Sequence, residues 1–267
     1  MTLLQLADGT VMLYDCNVTD ENEETVIDYV AEQIGFGSPI DIFVCSHRDA
    51  DHMRGIKSVH EWFPIQRVWD SGVTGSSPEC SEYCDYMDCR REVGCHTVRP
   101  GTRRDFGNTR VRMMNATSAE LPDNPNAQSI VLRVEHRDLQ LDDALSSVML
   151  LGDTDAKTWK ALRRRYSDAA LSCDILLASH HGSLSFFDDP SEDQFYYTDH
   201  LKAMSPSMTV ISVGPNRHGH PEPKALEFYE RYSTGSNRRR KICRTDHHGT
   251  IRLELKDAGG WSLKRDQ

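Results

Sequence analysis

The sequence predicts an α/β protein, and three observations carry that expectation. Short apolar runs of strand length alternate with amphipathic segments of helical period along most of the 267 residues. The longest apolar stretches, such as Val148-Met149-Leu150-Leu151 and Ile175-Leu176-Leu177-Ala178, suit strands and fall well short of a membrane-spanning helix. The second half repeats the strand–helix order of the first, and candidate functional residues recur just past the ends of strands, where α/β sheets gather their sites.

The elements follow in order. Thr2 to Leu6 and Thr10 to Tyr14 read as a hairpin around Asp8-Gly9, a strong turn pair. Val26, Ile27, Val30, Ala31 and Ile34 share one face of a helix over Glu23 to Ile34, stopped by Gly35. The apolar strand Ile40 to Cys45 runs into a His/Asp-rich segment. A helix over Gly55 to Phe63 ends at Pro64, and a strand follows around Gln66 to Trp69. Residues 71 to 80 form a Ser/Gly/Pro loop, and Glu79 to Val93 is helical, closed by Gly94.

Val98 to Ala116 carries two short strands around Pro100-Gly101 and Gly107-Asn108, and Leu121 to Asn126 is a loop before a strand over Ser129 to Glu135. A strand at Val148 to Leu151 meets Gly152-Asp153, a helix spans Lys157 to Tyr166, and a strand at Asp174 to Ala178 ends in His180-His181. Residues 184 to 200 read as a loop with aromatic side chains. The strand Thr209 to Val213 precedes a helix over Pro223 to Tyr232, and Lys241 to Thr245 with Thr250 to Leu255 closes as a hairpin. Without an interdomain linker, short-period repeat or low-complexity tract, residues 1–267 are expected to form a single domain.

Acidic residues outnumber basic ones by 41 to 31, for a formal charge of −10. That argues against adhesion to nucleic acid through bulk positive charge, although not against a nucleic-acid substrate handled by bound cations. Eight cysteines in a chain of this size read as reduced thiols, and the N-terminus lacks the order of a signal peptide. A cytoplasmic protein without membrane attachment is expected, with partner proteins unspecified.

The densest chemistry is His47-Arg48-Asp49-Ala50-Asp51-His52, with four potential ligands in six residues directly after a strand. A tight loop can aim all four into one cavity. Two ions held together there can lower the pKa of a water and steady charge on the displaced oxygen. A solvated polar turn is the alternative, and it suits a lone His or Asp better than this run.

Ser46-His47-Arg48-Asp49-Ala50-Asp51-His52-Met53-Arg54-Gly55 resembles the signature loop of the metallo-β-lactamase superfamily. More narrowly, it is similar to the hydrolase domain of ComEC-type DNA-uptake competence proteins, in which Asp commonly replaces the second histidine, as Asp49 does here. Asn126-Ala127-Gln128-Ser129, Leu151-Gly152-Asp153, Ser179-His180-His181-Gly182-Ser183, Gly219-His220-Pro221 and Thr245-Asp246 with Gly249-Thr250 follow in that family's order, across nearly the whole chain. The family usually places a further strand ahead of the region matching Thr2 to Asp15, so an edge strand is missing from the match. The membrane channel of the competence proteins has no counterpart, and DNA transport is not implied.

The resemblance implies a four-layer αββα sandwich, with two mixed β-sheets and helices on the outer faces. It also implies two divalent metal ions. One would be held by His47, Asp49 and Asp153 with Asn126, and the other by Asp51, His52, Asp153 and either His180 or His181. Oxygen-rich ligation favours Mn²⁺ or Mg²⁺ over Zn²⁺, though availability can install Zn²⁺. Asp51 and His220 are the candidate catalytic residues, with His220 either donating a proton to the leaving group or fixing its loop. Ser129 and Ser183 are candidate contacts to a substrate oxygen, or form structural turn hydrogen bonds.

The function expected is a metal-dependent phosphodiesterase or nuclease acting on nucleic acid or another phosphodiester. A hydrolase of a small lactam, lactone, thioester or phosphate compound is the second reading, and a non-catalytic binding module with a vestigial site is the third. Other features fit simpler explanations. Cys80, Cys84, Cys89, Cys95 and His96 lack the tight spacing of a zinc site. Arg238-Arg239-Arg240-Lys241 reads as a solvated loop, and His247-His248 as an exposed turn. Phe186-Phe187 and Phe195-Tyr196-Tyr197 either cover the core or wall the site.

Overall fold

A computed structural model of the chain describes residues 1–117, 120–121, 124–188, 195–235 and 241–266. Two compact units emerge, Met1–Arg99 and Pro100–Gln267. Each has its own hydrophobic core and its own main sheet.

In the first unit, β1 (Thr2–Gln5) and β2 (Val11–Tyr14) pair as the expected hairpin, closed by Thr10 N–H on Asp8 Oδ1. A short extended segment, β3 (Cys16–Asn17), leads to α1 (Glu23–Ile34), which opens on two acidic residues that suit a helix N-terminus. Ile27, Val30 and Ala31 are its buried face. Next come β4 (Ile42–Val44), α2 (Ala50–Met53), α3 (Ile56–Trp62), β5 (Val68–Asp70), α4 (Ser81–Val93) and β6 (Cys95–Thr97). Strand order in the sheet is β1-β2-β4-β5-β6, with β2, β4, β5 and β6 mutually parallel. Parallel neighbours require helical crossovers, which α1, the α2–α3 pair and α4 supply. Every residue of β4 and β5 is buried, as suits strands covered on both faces.

The second unit starts as a meander: β7 (Arg103–Phe106), β8 (Thr109–Met113), β9 (Leu132–Asp138) and β10 (Asp143–Leu150) are antiparallel. From β10 onward the sheet turns parallel. The helices α5 (Ala156–Arg165) and α6 (Asp168–Leu171) lead to β11 (Ile175–Leu177), α7 (Asp199–Met204) leads to β12 (Met208–Ile211), and α8 (Pro223–Tyr232) leads to β13 (Ile242–Arg244). The seven-stranded order is β13-β12-β11-β10-β9-β8-β7. A one-turn helix, α9 (Thr245–His248), precedes a separate ribbon of β14 (Ile251–Leu255) and β15 (Trp261–Arg265).

Three expectations need correction. The closing hairpin does not form between the two predicted strands: Ile242–Arg244 extends the main sheet beside β12, and Ile251–Leu255 pairs with Trp261–Arg265. The reason lies in Gly259 and Gly260, both at positive φ, which make the tight turn, whereas α9 occupies the position expected for one. Within 184 to 200, Leu184–Phe186 and Asp199–Met204 are helical, and Phe186 and Phe187 are fully buried in the core. β10 begins at Asp143, earlier than its apolar run, because pairing with β9 carries its polar end. Among the described residues no helix is long and apolar enough to cross a membrane. Arg238, Arg239 and Arg240 lie outside the described residues.

Candidate functional site

In the first unit the chemistry gathers at the carboxyl ends of parallel strands. Asp15 follows β2, Ser46 to His52 follow β4, and Asp70 closes β5. His47 and His52 are buried, with ring centroids 4.0 Å apart, and each offers a ligand nitrogen within 4.8 Å of the other. Asp49 and Asp51 flank them: His47 Nε2 is 3.8 Å from Asp49 Oδ2, and His52 Nε2 is 3.7 Å from Asp51 Oδ2. The loop therefore brings its two imidazoles and two carboxylates close together. Arg48, between the candidate ligands in sequence, turns away and donates to Asp70 Oδ2 at 2.7 Å.

Hydrogen bonds fix the imidazole tautomers. His52 Nδ1 lies 2.9 Å from Asp15 Oδ2, a carboxylate that can only accept, so Nδ1 carries the proton. Ser46 donates its hydroxyl to the same Asp15 oxygen at 2.8 Å and its backbone N–H to Oδ1 at 2.7 Å. Having given its proton to Asp15, Ser46 Oγ is an acceptor for His47 Nδ1–H at 3.1 Å. Both rings thus turn an unprotonated Nε2 away from the Asp15–Ser46 anchor, the orientation of a metal-donor histidine.

Asp49 is held from another direction. Ser76 donates its N–H (2.9 Å) and its hydroxyl (2.8 Å) to Asp49 Oδ1. Gly75 makes this possible, because a Cβ there would stand 1.8 Å from the Arg48 carbonyl oxygen. Beneath the loop, buried Asp70 accepts from Arg48, from Tyr86 Oη at 2.7 Å and from Arg90 Nε at 2.8 Å. Burial alone would raise the Asp70 pKa, but Arg48, the Tyr86 hydroxyl and Arg90 outweigh it and hold the carboxyl below its ordinary value.

The second unit repeats the placement. Buried Asp153 follows β10, and its backbone N–H donates to Ser129 Oγ at 3.2 Å. His180 and His181 follow β11 with φ of 46° and 54°, consecutive left-handed residues that cost strain and re-aim both rings. His181 Nδ1 is 2.8 Å from the Ser212 carbonyl, which fixes its proton on Nδ1 and presents Nε2 as the donor. His180 Nδ1 faces the Ser185 hydroxyl at 3.2 Å, and its Nε2 lies 3.5 Å from Asp153 Oδ2.

His220 follows β12 on a loop held by Asn216, whose Oδ1 accepts the His218 and His220 N–H groups at 3.1 and 3.0 Å. Its ring lies 5.3 Å from that of His180, and burial, reinforced by His180, lowers its pKa. The peptide bond between His220 and Pro221 is cis. Gly182 lets that turn approach, since a Cβ there would lie 2.6 Å from Pro221 Cβ. Ser183 caps the Leu184–Phe186 turn and reaches Glu222 Oε1 at 3.4 Å. Asn126 opens a one-turn helix, with its carbonyl accepting Ser129 N–H.

Sequence reasoning missed Asp15, Ser76 and Glu222. Asp15 carried a usable signal, being an acid directly past an apolar strand. Ser76 and Glu222 carried none, because each acts through a contact far along the chain. Among the described residues no candidate metal cluster includes Cys80, Cys84, Cys89, Cys95 or His96: Cys80 caps α4, Cys84 is exposed and Cys89 is buried.

The comparisons with solved structures agree with this architecture. A metallo-β-lactamase fold protein, YhfI from Bacillus subtilis, matches with a TM-score of 0.52 at 11% identity, over 91% of this chain and 88% of that one. The fold is the metallo-β-lactamase fold. CmlA, a diiron β-hydroxylase from Streptomyces venezuelae, matches with a TM-score of 0.50 at 11% identity over 89% of this chain, which spans 50% of that protein. No protein-family model and no curated protein matches the sequence.

Proposed function

We infer that this chain is a metal-dependent hydrolase and that its substrates are phosphodiesters, nucleic acid among them. One observation carries the reading: His47, His52 and His181 each have Nδ1–H engaged by an acceptor, leaving Nε2 as the donor nitrogen, and within the first unit Asp49 lies beside His47 and Asp51 beside His52. Neutral imidazole and carboxylate together fit a divalent cation of the Mn²⁺, Mg²⁺ or Zn²⁺ class. The diiron protein of similar fold adds Fe²⁺ to the ions worth testing. His181 is assigned as the ligand of its pair. His180, beside the Asp153 carboxylate, is assigned to the substrate.

Bound ions would supply Lewis-acid polarisation of the scissile group and a water acidic enough to ionise near neutral pH. The chain's own residues do the rest. Asp51, with 45% of its side chain exposed against 21% for Asp49, is the more open of the two loop carboxylates, and it takes the proton of the attacking water. His220 delivers a proton to the leaving oxygen. Asp15 and Ser46 hold the two buried imidazoles, and Ser76 holds Asp49. The phosphodiester preference rests on the oxygen-rich donors and on the likeness to competence-protein hydrolase domains.

In the ligand scheme which that likeness implies, Asp153 would help to hold the ions. The test is metal stoichiometry with cleavage of labelled DNA and RNA. Two equivalents in the wild type, a strong deficit in Asp153→Ala and metal-dependent cleavage would support the reading. Cleavage absent from protein that holds its ions would move the assignment to small carbonyl substrates.

A further inference from the structure

A cavity lined by none of the residues named for metal binding lies in the second unit. Its volume is about 340 Å³, at the small end of the range for small-molecule sites, and Arg103, Arg112, Arg133, Met114, Tyr166 and Ala170 are among its walls. The three arginines are direct cross-strand partners. Arg103 pairs in register with Arg112, and Arg112 with Arg133, so one row of guanidinium side chains crosses β7, β8 and β9 on one face. Like charges opposite one another destabilise a sheet, and a protein of net charge −10 had acids to spend on them.

The neutralisation present is thin. Buried Glu135 reaches Arg112 Nε at 3.1 Å and also contacts Arg133, while its other oxygen is 3.8 Å from Arg137 Nε. One carboxylate therefore serves three guanidiniums. Asp105, the acid near Arg103, is engaged by Arg110 through two hydrogen bonds of 2.6 and 3.0 Å, and Arg103 makes no ion pair among the described residues. Buried Arg133 is fixed from behind, giving Nε and Nη2 to the Ser172 carbonyl.

We propose that this cavity binds a small organic anion, with Arg103 and Arg112 taking an oxyanion head and Met114, Tyr166 and Ala170 facing its apolar body. Planar guanidiniums suit phosphate and carboxylate heads alike. The site is independent of the hydrolytic reading.

The experiment is calorimetric titration of the full chain with phenylphosphonate, benzoate and inorganic phosphate, none of which offers a phosphodiester to cleave. Phenylphosphonate or benzoate is expected to bind saturably and more tightly than inorganic phosphate. Binding should weaken roughly tenfold or more in Arg103→Gln and in Arg112→Gln, and persist in Asp51→Ala and in the opposite-face control Arg104→Gln. Arg103 is exposed, so its variant keeps the test valid should Arg112→Gln fold poorly. The proposal is overturned by absence of saturable binding up to about 10 mM, by equal affinity for inorganic phosphate, or by indifference to Arg103→Gln. Loss in Asp51→Ala would assign the anion to the metal site and overturn it as well.

Discussion

Asp15 Oδ2 accepts a hydrogen bond from His52 Nδ1 at 2.9 Å, and the same oxygen takes the Ser46 hydroxyl that positions His47. One carboxylate thereby sets the tautomer of two candidate metal ligands. Asp15 adopts φ of 55°, a left-handed conformation that Asn also tolerates. The substitution Asp15→Asn should keep the fold, by far-ultraviolet circular dichroism, and weaken metal binding by about 10–100-fold, read by titration with Mn²⁺ and Zn²⁺. Unchanged affinity would remove Asp15 from the account.

The loop over residues 72–76 should be intolerant of bulk at one position. A Cβ at Gly75 would press on the Arg48 carbonyl, backbone against backbone, so neither side can yield by rotating a side chain. Gly75→Ala is expected to cost ~1–3 kcal/mol in urea unfolding and to displace Ser76 from Asp49. Ser76→Ala, which keeps the backbone N–H on Asp49, should retain stability and lose less metal affinity than Gly75→Ala.

Asp70 anchors the underside of the same loop. Asp70→Asn leaves Arg48 and Arg90 without their carboxylate in a buried setting, and a loss of ~3–5 kcal/mol in denaturant unfolding is expected. A change below about 1 kcal/mol would mean that solvent compensates the arginines.

Acid should find a weak point in the second unit at His200. The ring is fully buried, stacked on Tyr197 at 5.0 Å and edge-on to Phe186 at 4.2 Å, and burial lowers its pKa from 6.5 to about 3. The folded value lies below the unfolded one, so the unfolded chain binds the proton more readily. The stability contributed is complete above pH 6.5 and is lost as pH falls toward 3, by roughly 5 kcal/mol at most. His200→Phe should flatten the dependence of unfolding free energy on pH across that window. An unaltered profile would place the acid sensitivity elsewhere.

Much of this was legible in the sequence where chemistry and period coincide. The helices Glu23–Ile34 and Pro223–Tyr232 were bounded by their apolar face, a terminal glycine and an initial proline. The loop after Ile42–Val44 announced itself by density, with two His and two Asp, all side chains that can bind a divalent cation, within six residues. What escaped was set by distance along the chain. Asp15 meets His52 across 37 residues, and Ser76 meets Asp49 across 27. The pairing of Ile242–Arg244 with β12 depends on a parallel neighbour, which no local turn signal encodes. The orientation of His181 depends on one carbonyl, of Ser212, supplied by the strand beyond.

The most direct test of the central claim is turnover of bis-p-nitrophenyl phosphate by metal-free protein reloaded with Mn²⁺, Mg²⁺, Zn²⁺ or Fe²⁺, beside Asp51→Ala and Asp153→Ala. Metal-dependent release of p-nitrophenolate by the wild type is expected, with a fall of at least about a hundredfold in both variants. Wild-type protein that holds its ions and leaves the diester intact would contradict that claim.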